Sequence, residues 1–354
     1  MIGIVLAGGS GTRFWPMSRK LRPKQLVSLW DDKPMIEATI DRLAGVSSRA
    51  KTFVVLGEHL VEATREVLPD VEFIVEPCPR NTAPAIGLAA IFAQHRFGDE
   101  PIGIFPADHA IGRRGVGGLA NFERCLKQAE EQAQAGHLVT LGITPTSPET
   151  GYGYIHYQES DAAAHPVRKF VEKPSRALAQ QYLESGDYVW NSGIFVFKPS
   201  VLLAEMKRQL PQMHQAMMEI AASLGTAHQA ETIDRCFSAT RSISVDYGIM
   251  ENAANVVVIP ATFHWSDVGH WDAVDVVSEV DVNGNVVEAD ALLLDVSDSV
   301  IYSQNSARLI AVCGVEDLVV VDTPDALLVI DRKRAQDVKT LVEALQQAGR
   351  DDLL

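Results

Sequence analysis

The sequence predicts an α/β protein: a mostly parallel sheet with helices on both faces, followed by a smaller β-rich domain. Three observations predict it. Short apolar runs alternate with longer amphipathic segments through the first two-thirds of the 354 residues, the rhythm of strand–helix–strand units. A Gly-rich, basic loop follows the first apolar run directly, at the strand edge where ligands of such sheets bind. From Asn283 the texture changes to β-rich runs separated by Asp, Asn, Ser and Gly.

The elements follow in order. IGIVLA, from Ile2, predicts a buried first strand; it has no basic leader and does not read as a signal peptide. KTFVVLG, VEFIVE and IGIFPA predict further buried strands. PMIEATIDRLAG, EHLVEATREVL, NTAPAIGLAAIFAQHR and LANFERCLKQAEEQAQAG carry apolar residues near helical spacing, and Pro34 suits a first helical turn. HLVTLGI, GYGYIHY, VRKFVEK and YVWNSGIFVF predict shorter strands. SVLLAEMKRQLPQMHQAMMEIAASL is helical but interrupted by Pro211. NVVVIPA and the aromatic FHWSDVGHW close this region near residue 277. The expected domains are therefore 1–277 and 283–354, the second ending in the helix KRAQDVKTLVEALQQAG. Its β-rich part is either a short parallel β-helix or a twisted meander. RRGVGG, Arg113 to Gly118, predicts a mobile loop.

Composition narrows the function. The 47% hydrophobic and 22% charged fractions are those of a soluble globular chain. No apolar run approaches the ~20 residues of a membrane span. A formal net charge of -15 argues against a nucleic-acid polymer as partner, while leaving room for a small polyphosphate in a local basic pocket. Cys78, Cys125, Cys236 and Cys313 are far apart and form no CxxC pair. They predict buried free thiols and a reducing, cytoplasmic setting.

The loop LAGGSGTRFWPMSRKLRPKQL, Leu6 to Leu26, carries the chemistry. It is not a P-loop, because the dipeptide Gly-Lys does not occur in the chain. It is not a dinucleotide fingerprint either: Phe14 stands where the third glycine belongs. The phosphate logic remains. Gly8, Gly9 and Gly11 let backbone approach a ligand and aim N–H groups at oxyanions. Arg13 offers a planar fork for phosphate oxygens, and Lys24, eleven residues on, adds a point charge. The plainer alternative is a tight turn with solvated charges.

GGSGTRFWPMSRKLRPKQL resembles the signature of the sugar-1-phosphate nucleotidyltransferases, GGxGTRxxPxxxxxxPK. EPCPRNTAPAIGLAA, FPADHAI, ETGYGYI, FVEKPS, WNSGIFVF, SVDYGIME and WSDVGHWDA are similar, in order, to blocks of its mannose-1-phosphate guanylyltransferase branch. The resemblance implies a Rossmann-like catalytic domain of the nucleotide-diphospho-sugar transferase type. It also implies transfer of GMP from GTP to mannose 1-phosphate with Mg²⁺; if the C-terminal β-rich domain is a β-helix, a left-handed one is expected. The sugar phosphate attacks the α-phosphorus in line. With a second pKa near ~6 it is already ionised and needs no general base.

The resemblance also assigns residues. Leu6, Ala7, Gly8, Gly9, Gly11, Thr12 and Arg13 line the nucleotide, with Asp108. Arg13 and Lys24 neutralise the leaving pyrophosphate, and Asp108 and Asp267 hold the metal. Lys173 binds the sugar phosphate; Gly153, Glu172, Asn191 and Asp267 belong to the sugar site. Asn81 and Thr82 lie at the base, where guanine's two N–H donors need an acceptor such as Asn81 or Glu76. Arg80 is an alternative phosphate contact. Asp246 and Glu251 shape the sugar end or cap helices, and Tyr152, Tyr154 and Trp190 form walls. Glu172 and Lys173 reach one ligand only if Pro174 ends the strand with a bend.

Some readings stay open. His264, Asp267 and His270 form HxxDxxH, which is not a recognised zinc spacing, and His270 replaces the serine usual in WSDVGSW. Longer relatives carry a cupin-type isomerase domain with a histidine metal site. None of the ten histidines follows His270, so a monofunctional enzyme is expected. The resemblance admits a homodimer. A heptose or glucose 1-phosphate is an alternative substrate, and a silent regulatory paralogue an alternative class. The retained Arg13, Lys24, Asp108, Lys173 and Asp267 disfavour the latter.

Overall fold

A computed structural model describes residues 1–9, 11–29, 32–112 and 118–354. RRGVGG, apart from Gly118, lies outside the described residues. The chain forms two compact units. The first holds the described residues of 1–8, 39–107 and 118–265, the second those of 9–38, 108–112 and 266–354.

The strands in chain order are β1 (Ile2–Leu6), β2 (Thr52–Gly57), β3 (Glu72–Glu76), β4 (Ile102–Pro106), β5 (Ala110–Ile111) and β6 (Leu138–Ile143). They continue with β7 (Tyr154–Tyr157), β8 (His165–Val171), β9 (Tyr188–Phe197), β10 (Val256–Pro260), β11 (Trp265–Ser266) and β12 (Val286–Glu288). The last are β13 (Ala291–Ser297), β14 (Val300–Ser303), β15 (Ile310–Glu316), β16 (Leu318–Asp322) and β17 (Leu327–Asp331). The helices are α1 (Met35–Arg42), α2 (Val61–Val67), α3 (Thr82–Phe97), α4 (Gly118–Gln134) and α5 (Arg176–Ser185). They are followed by α6 (Pro199–Gln209), α7 (Pro211–Ser223), α8 (Gln229–Ser238), α9 (Val245–Gly248) and α10 (Val338–Gln347).

The first unit is built on a nine-stranded sheet, ordered β3-β2-β1-β4-β9-β6-β10-β8-β7 among the described residues. β1 is an interior strand and apolar throughout, as a strand covered on both faces must be. Ile4 lies opposite Phe53 of β2 and Ile104 of β4, both in parallel register. Seven of the nine strands run the same way, but the sheet is mixed: β9 is inserted antiparallel between β4 and β6, β8 opposes β10, and β7 pairs antiparallel with both β8 and β9. Strand direction leaves no mark on apolar periodicity. α3 is buried nearly all round and shares a core with Ile2, Ile4, Phe53 and Ile104. Pro211 divides the long helical stretch into two helices, standing at the start of α7 where its missing N–H costs nothing. α5, α8 and α9 were not expected. α5 and α9 start at side-chain caps, Ser175 accepting from Leu178 N and Ser244 from Tyr247 N.

In the second unit β12, β14 and β16 pair in parallel, so that Val286, Val300 and Val319 stack in register. β13 and β15 form a second parallel stack, and β17 closes β16 antiparallel. Parallel stacking of successive coils is a β-helix; a meander would pair its strands antiparallel. Asp298 and Asp317 turn equivalent corners at φ 48° and 56°, a conformation Asp tolerates better than most residues. The valine stack forms one core with Phe14, Trp15, Met17 and Val27 of the Gly-rich loop and with Trp271. Polar ties add to it. Trp15 Nε1 donates to the Leu353 carbonyl at 2.9 Å, and the Tyr302 hydroxyl to the Ser28 carbonyl at 3.1 Å.

The four thiols are free, but burial of all four does not hold. Cys125 and Cys236 are buried, Cys78 is half-buried, and Cys313 faces outward on β15. Among the described residues no helix is long and apolar enough to cross a membrane.

Candidate active site

Gly11 enters a short 3-10 turn, Thr12–Phe14, at φ 55°, a left-handed conformation that favours glycine. A Cβ there would stand 2.5 Å from both the backbone N and the Cβ of Lys24. This is where the two limbs of the loop touch. Gln25 Nε2 donates to the Gly9 carbonyl at 3.0 Å, and Ser18 Oγ to the Gly11 carbonyl at 2.7 Å. The loop is thus a closed, cross-linked cradle.

Beside it lies a cavity of about 370 Å³, lined in part by Gly11, Arg13, Lys24, Asp108, Asp267 and Lys339. Lys24 is 3% exposed. Its ammonium donates to the Asp108 carbonyl at 2.8 Å, to Asp108 Oδ2 at 3.1 Å and to the Asp267 carbonyl at 2.6 Å. An ammonium has three donors, and here each meets a protein acceptor. Lys24 therefore ties the two aspartate segments together. Burial pushes the Asp108 carboxyl up, but the Lys24 charge, His109, the Lys24 hydrogen bond and its own backbone N–H leave it below the ordinary range. Next to Asp267, Val268 is fully buried at φ 41°. A β-branched residue there is a strained outlier of the kind found at functional sites. His264 and Asp267 flank β11 and His270 precedes a 3-10 helix, Trp271–Val276, so the three do not share one helical face. Among the described residues no three His, Cys, Asp or Glu side chains form a metal-holding group.

The first unit carries a second constellation. β8 ends at Val171, and Lys173 adopts φ 47°. The bend expected from Pro174 lies in the backbone of Lys173 itself. It brings Lys173 Nζ to 3.1 Å from Glu172 Oε1. Burial first, then Asp246, pushes the Glu172 carboxyl up to about 7 against the pull of Lys173. Glu251 Oε1 accepts the Glu172 backbone N–H at 2.9 Å. Gly153 is expected to let backbone approach a sugar, but the space over its Cα belongs to Glu172: a Cβ would stand 2.5 Å from Oε2.

Asn191 lies inside β9, not before a strand, beside the irregular pairing of β6 and β9. Its amide already bonds protein groups through both its nitrogen and its oxygen. Nδ2 donates to Asp246 Oδ1 at 2.9 Å, while Oδ1 accepts from Thr140 Oγ1 at 3.0 Å. Asn191 orients Asp246, whose carboxyl burial holds above its usual range. Tyr152 packs edge-on against Trp190 and Trp265.

Asn81 and Thr82, the expected base contacts, each give a side-chain oxygen to a backbone N–H at the start of α3. Asn81 Oδ1 accepts the Thr82 N–H at 2.8 Å, and Thr82 Oγ1 accepts the Val245 N–H at 2.9 Å. Arg80 donates to the Ser238 carbonyl, not to a cavity. The other expected acceptor, Glu76, stands at the end of β3. It is 8% exposed, its Oε1 has no hydrogen-bond partner, and burial pushes its carboxyl up to about 7. A Cβ at Gly8 would stand 3.8 Å from its Oε2, so the loop's first glycine borders it. Asn81 and Thr82 stand in the block EPCPRNTAPAIGLAA, where no sequence signal separates a capping role from base reading. Lys339 had no signal at all.

Comparisons with known proteins bear on these sites. The family model described as nucleotidyl transferase matches residues 2–281, and one described as a MannoseP isomerase/GMP-like beta-helix domain matches 284–345. The mannose-1-phosphate guanylyltransferases of Klebsiella pneumoniae and Escherichia coli are each 40% identical over 99% of this chain and 75% of their own length. A crystal structure from Thermus thermophilus, described as a mannose-1-phosphate geranyltransferase, superposes with a TM-score of 0.88. Its identity is 34%, over 98% of this chain and 99% of that one. With its Gly-rich cradle, its paired aspartates and these relatives, the chain belongs to the nucleotidyl transferase family.

Proposed function

We propose that the protein transfers a guanylyl group from GTP to mannose 1-phosphate, giving GDP-mannose and pyrophosphate. The observation that carries this reading is the cavity where the Gly11–Arg13 turn, Asp108 and Asp267 meet around a fully engaged Lys24. A phosphate oxygen of the sugar attacks the α-phosphorus, the new P–O bond forms, and the bond to the β-phosphate oxygen breaks. Pyrophosphate leaves with its charge. Catalysis then rests on position and charge compensation.

In this reading residues 1–277 form the catalytic region and 283–354 the β-rich one. Glu76 reads guanine: a carboxylate accepts both N1–H and N2–H, which adenine does not offer. Lys173 and Glu172, held at the bend after β8, take the phosphate and hydroxyls of the sugar, and Asn191 orients Asp246 beside them. Asp108 and Asp267 line one cavity, and two carboxylates beside a triphosphate are the donor set that Mg²⁺ takes. When bound, the ion would neutralise charge on the phosphate oxygens. Lys24 keeps both aspartates in place for it.

The test is pyrophosphate release with Mg²⁺, crossing GTP, ATP, UTP and dTTP with mannose-, glucose- and heptose-1-phosphates. Release confined to GTP with mannose 1-phosphate is the expected result. Release with another pair overturns the specificity, and none from folded protein overturns the activity.

A further inference from the structure

The leaving pyrophosphate develops negative charge that the site must compensate. Lys24, the obvious cation, has its three donors on Asp108 and Asp267 and is 3% exposed. It positions the aspartates; it has no donor left for a phosphate. Arg13, exposed on the loop, is one source of charge. The same cavity has a second, Lys339, in the first turn of α10.

The position of Lys339 is set by packing. Val338 beside it is fully buried, and Val342 and Leu345 pack against the core that also holds Phe14, Trp15 and Trp271. α10 lies against the Thr12–Phe14 turn, the segment that carries Arg13. The chain end strengthens this attachment, since Lys20 N donates to the Leu354 carbonyl at 3.1 Å and Trp15 Nε1 to Leu353. The ammonium itself is loosely held. Its ion pair with Glu343 is 3.7 Å long, with the two side chains 61% and 56% exposed. Such a pair contributes little, so the charge is available to a ligand.

We propose that Lys339 is a phosphate-binding residue of the active site, contacting the β- and γ-phosphates of the nucleotide and the pyrophosphate that leaves. This rests on the reading of the cavity as the phosphate site. It makes the β-rich region a contributor to the reaction and not only a platform. Its helix sets the second cation of the cradle, far along the chain from the loop that supplies the first.

The experiment compares wild type, Lys339→Met and Lys339→Arg, with Lys333→Met as a control lysine elsewhere on the same region. Steady-state kinetics are run forward and, from GDP-mannose, in reverse. Calorimetry measures binding of GTP, pyrophosphate and GDP-mannose. Loss of one charge-assisted contact predicts a fall of about 10- to 100-fold in kcat/KM for GTP and a like loss in pyrophosphate affinity. KM for mannose 1-phosphate and the Kd for GDP-mannose, which lacks the pyrophosphate end, should stay unchanged. Lys339→Arg should restore most of the loss. Unchanged GTP and pyrophosphate parameters in Lys339→Met overturn the proposal. So does an equal weakening of GDP-mannose, which marks a merely structural role. If wild type binds GTP and pyrophosphate but does not turn over, the proposed reaction fails while the Lys339 contact is still judged by binding. If wild type binds neither, the phosphate-site reading and the Lys339 proposal fall together.

Discussion

Glu76→Gln replaces a buried carboxyl by a neutral isostere and tests two consequences of one environment. Burial moves the Glu76 pKa from 4.5 to about 7, a difference worth roughly 3 kcal/mol. The sign follows from proton binding. Between the two values the folded state keeps a proton that the unfolded state has released. Stability therefore falls as pH rises through this window and levels off above about 7. Glutamine escapes that cost. Unfolding entropy of about 2.1 cal/mol/K per residue makes 3 kcal/mol worth roughly 4 °C in a chain of this length.

Glu76→Gln should therefore gain about 4 °C on wild type between pH 5 and pH 8.5, read by thermal unfolding at both pH values. The substitution also places an amide N–H against one guanine donor. Loss of a bidentate pair is worth about 1–3 kcal/mol, so kcat/KM for GTP should fall roughly 10- to 100-fold while that for ATP does not. In wild type the apparent affinity for GTP should weaken as pH drops below about 7, because the bound proton blocks one acceptor oxygen. A Tm difference independent of pH, with GTP preference intact, would refute both the desolvated carboxyl and its role at the base.

Further outcomes follow from the same geometry. Gly11→Ala drives a Cβ to 2.5 Å from the backbone of Lys24 at a left-handed φ. It should cost about 2–5 kcal/mol and abolish activity, measured by denaturant unfolding and pyrophosphate release. Gly153→Ala displaces the Glu172 carboxylate; KM for mannose 1-phosphate should rise about tenfold with KM for GTP unchanged, and a rise in both would contradict the assignment of this cluster to the sugar. Asp108→Asn and Asp267→Asn should each stop turnover with far-UV circular dichroism intact, and activity retained in both would remove the metal assignment.

The sequence by itself determined the class of fold, the order of its main elements and, through the signature of its first loop, the family. Those rest on local quantities: apolar period, turn residues, and glycines next to cations. A β1 that is apolar on both faces must be an interior strand, and the long signature GGSGTRFWPMSRKLRPKQL is specific enough to point to a family. What sequence did not carry was direction and partnership. The antiparallel insertion of β9 depends on which neighbours bury it, not on its own period. The side chains of Asn81, Thr82 and Asn191 have the right chemistry for a ligand, and only the folded chain shows that they also bond the Thr82 N–H, the Val245 N–H and Asp246. Lys24 is legible as a cation, yet only tertiary structure shows that all its donors point at protein. Lys339 enters the cavity because Val338 is buried in a core shared with the loop. Such long-range burial brings together residues that no spacing along the chain relates.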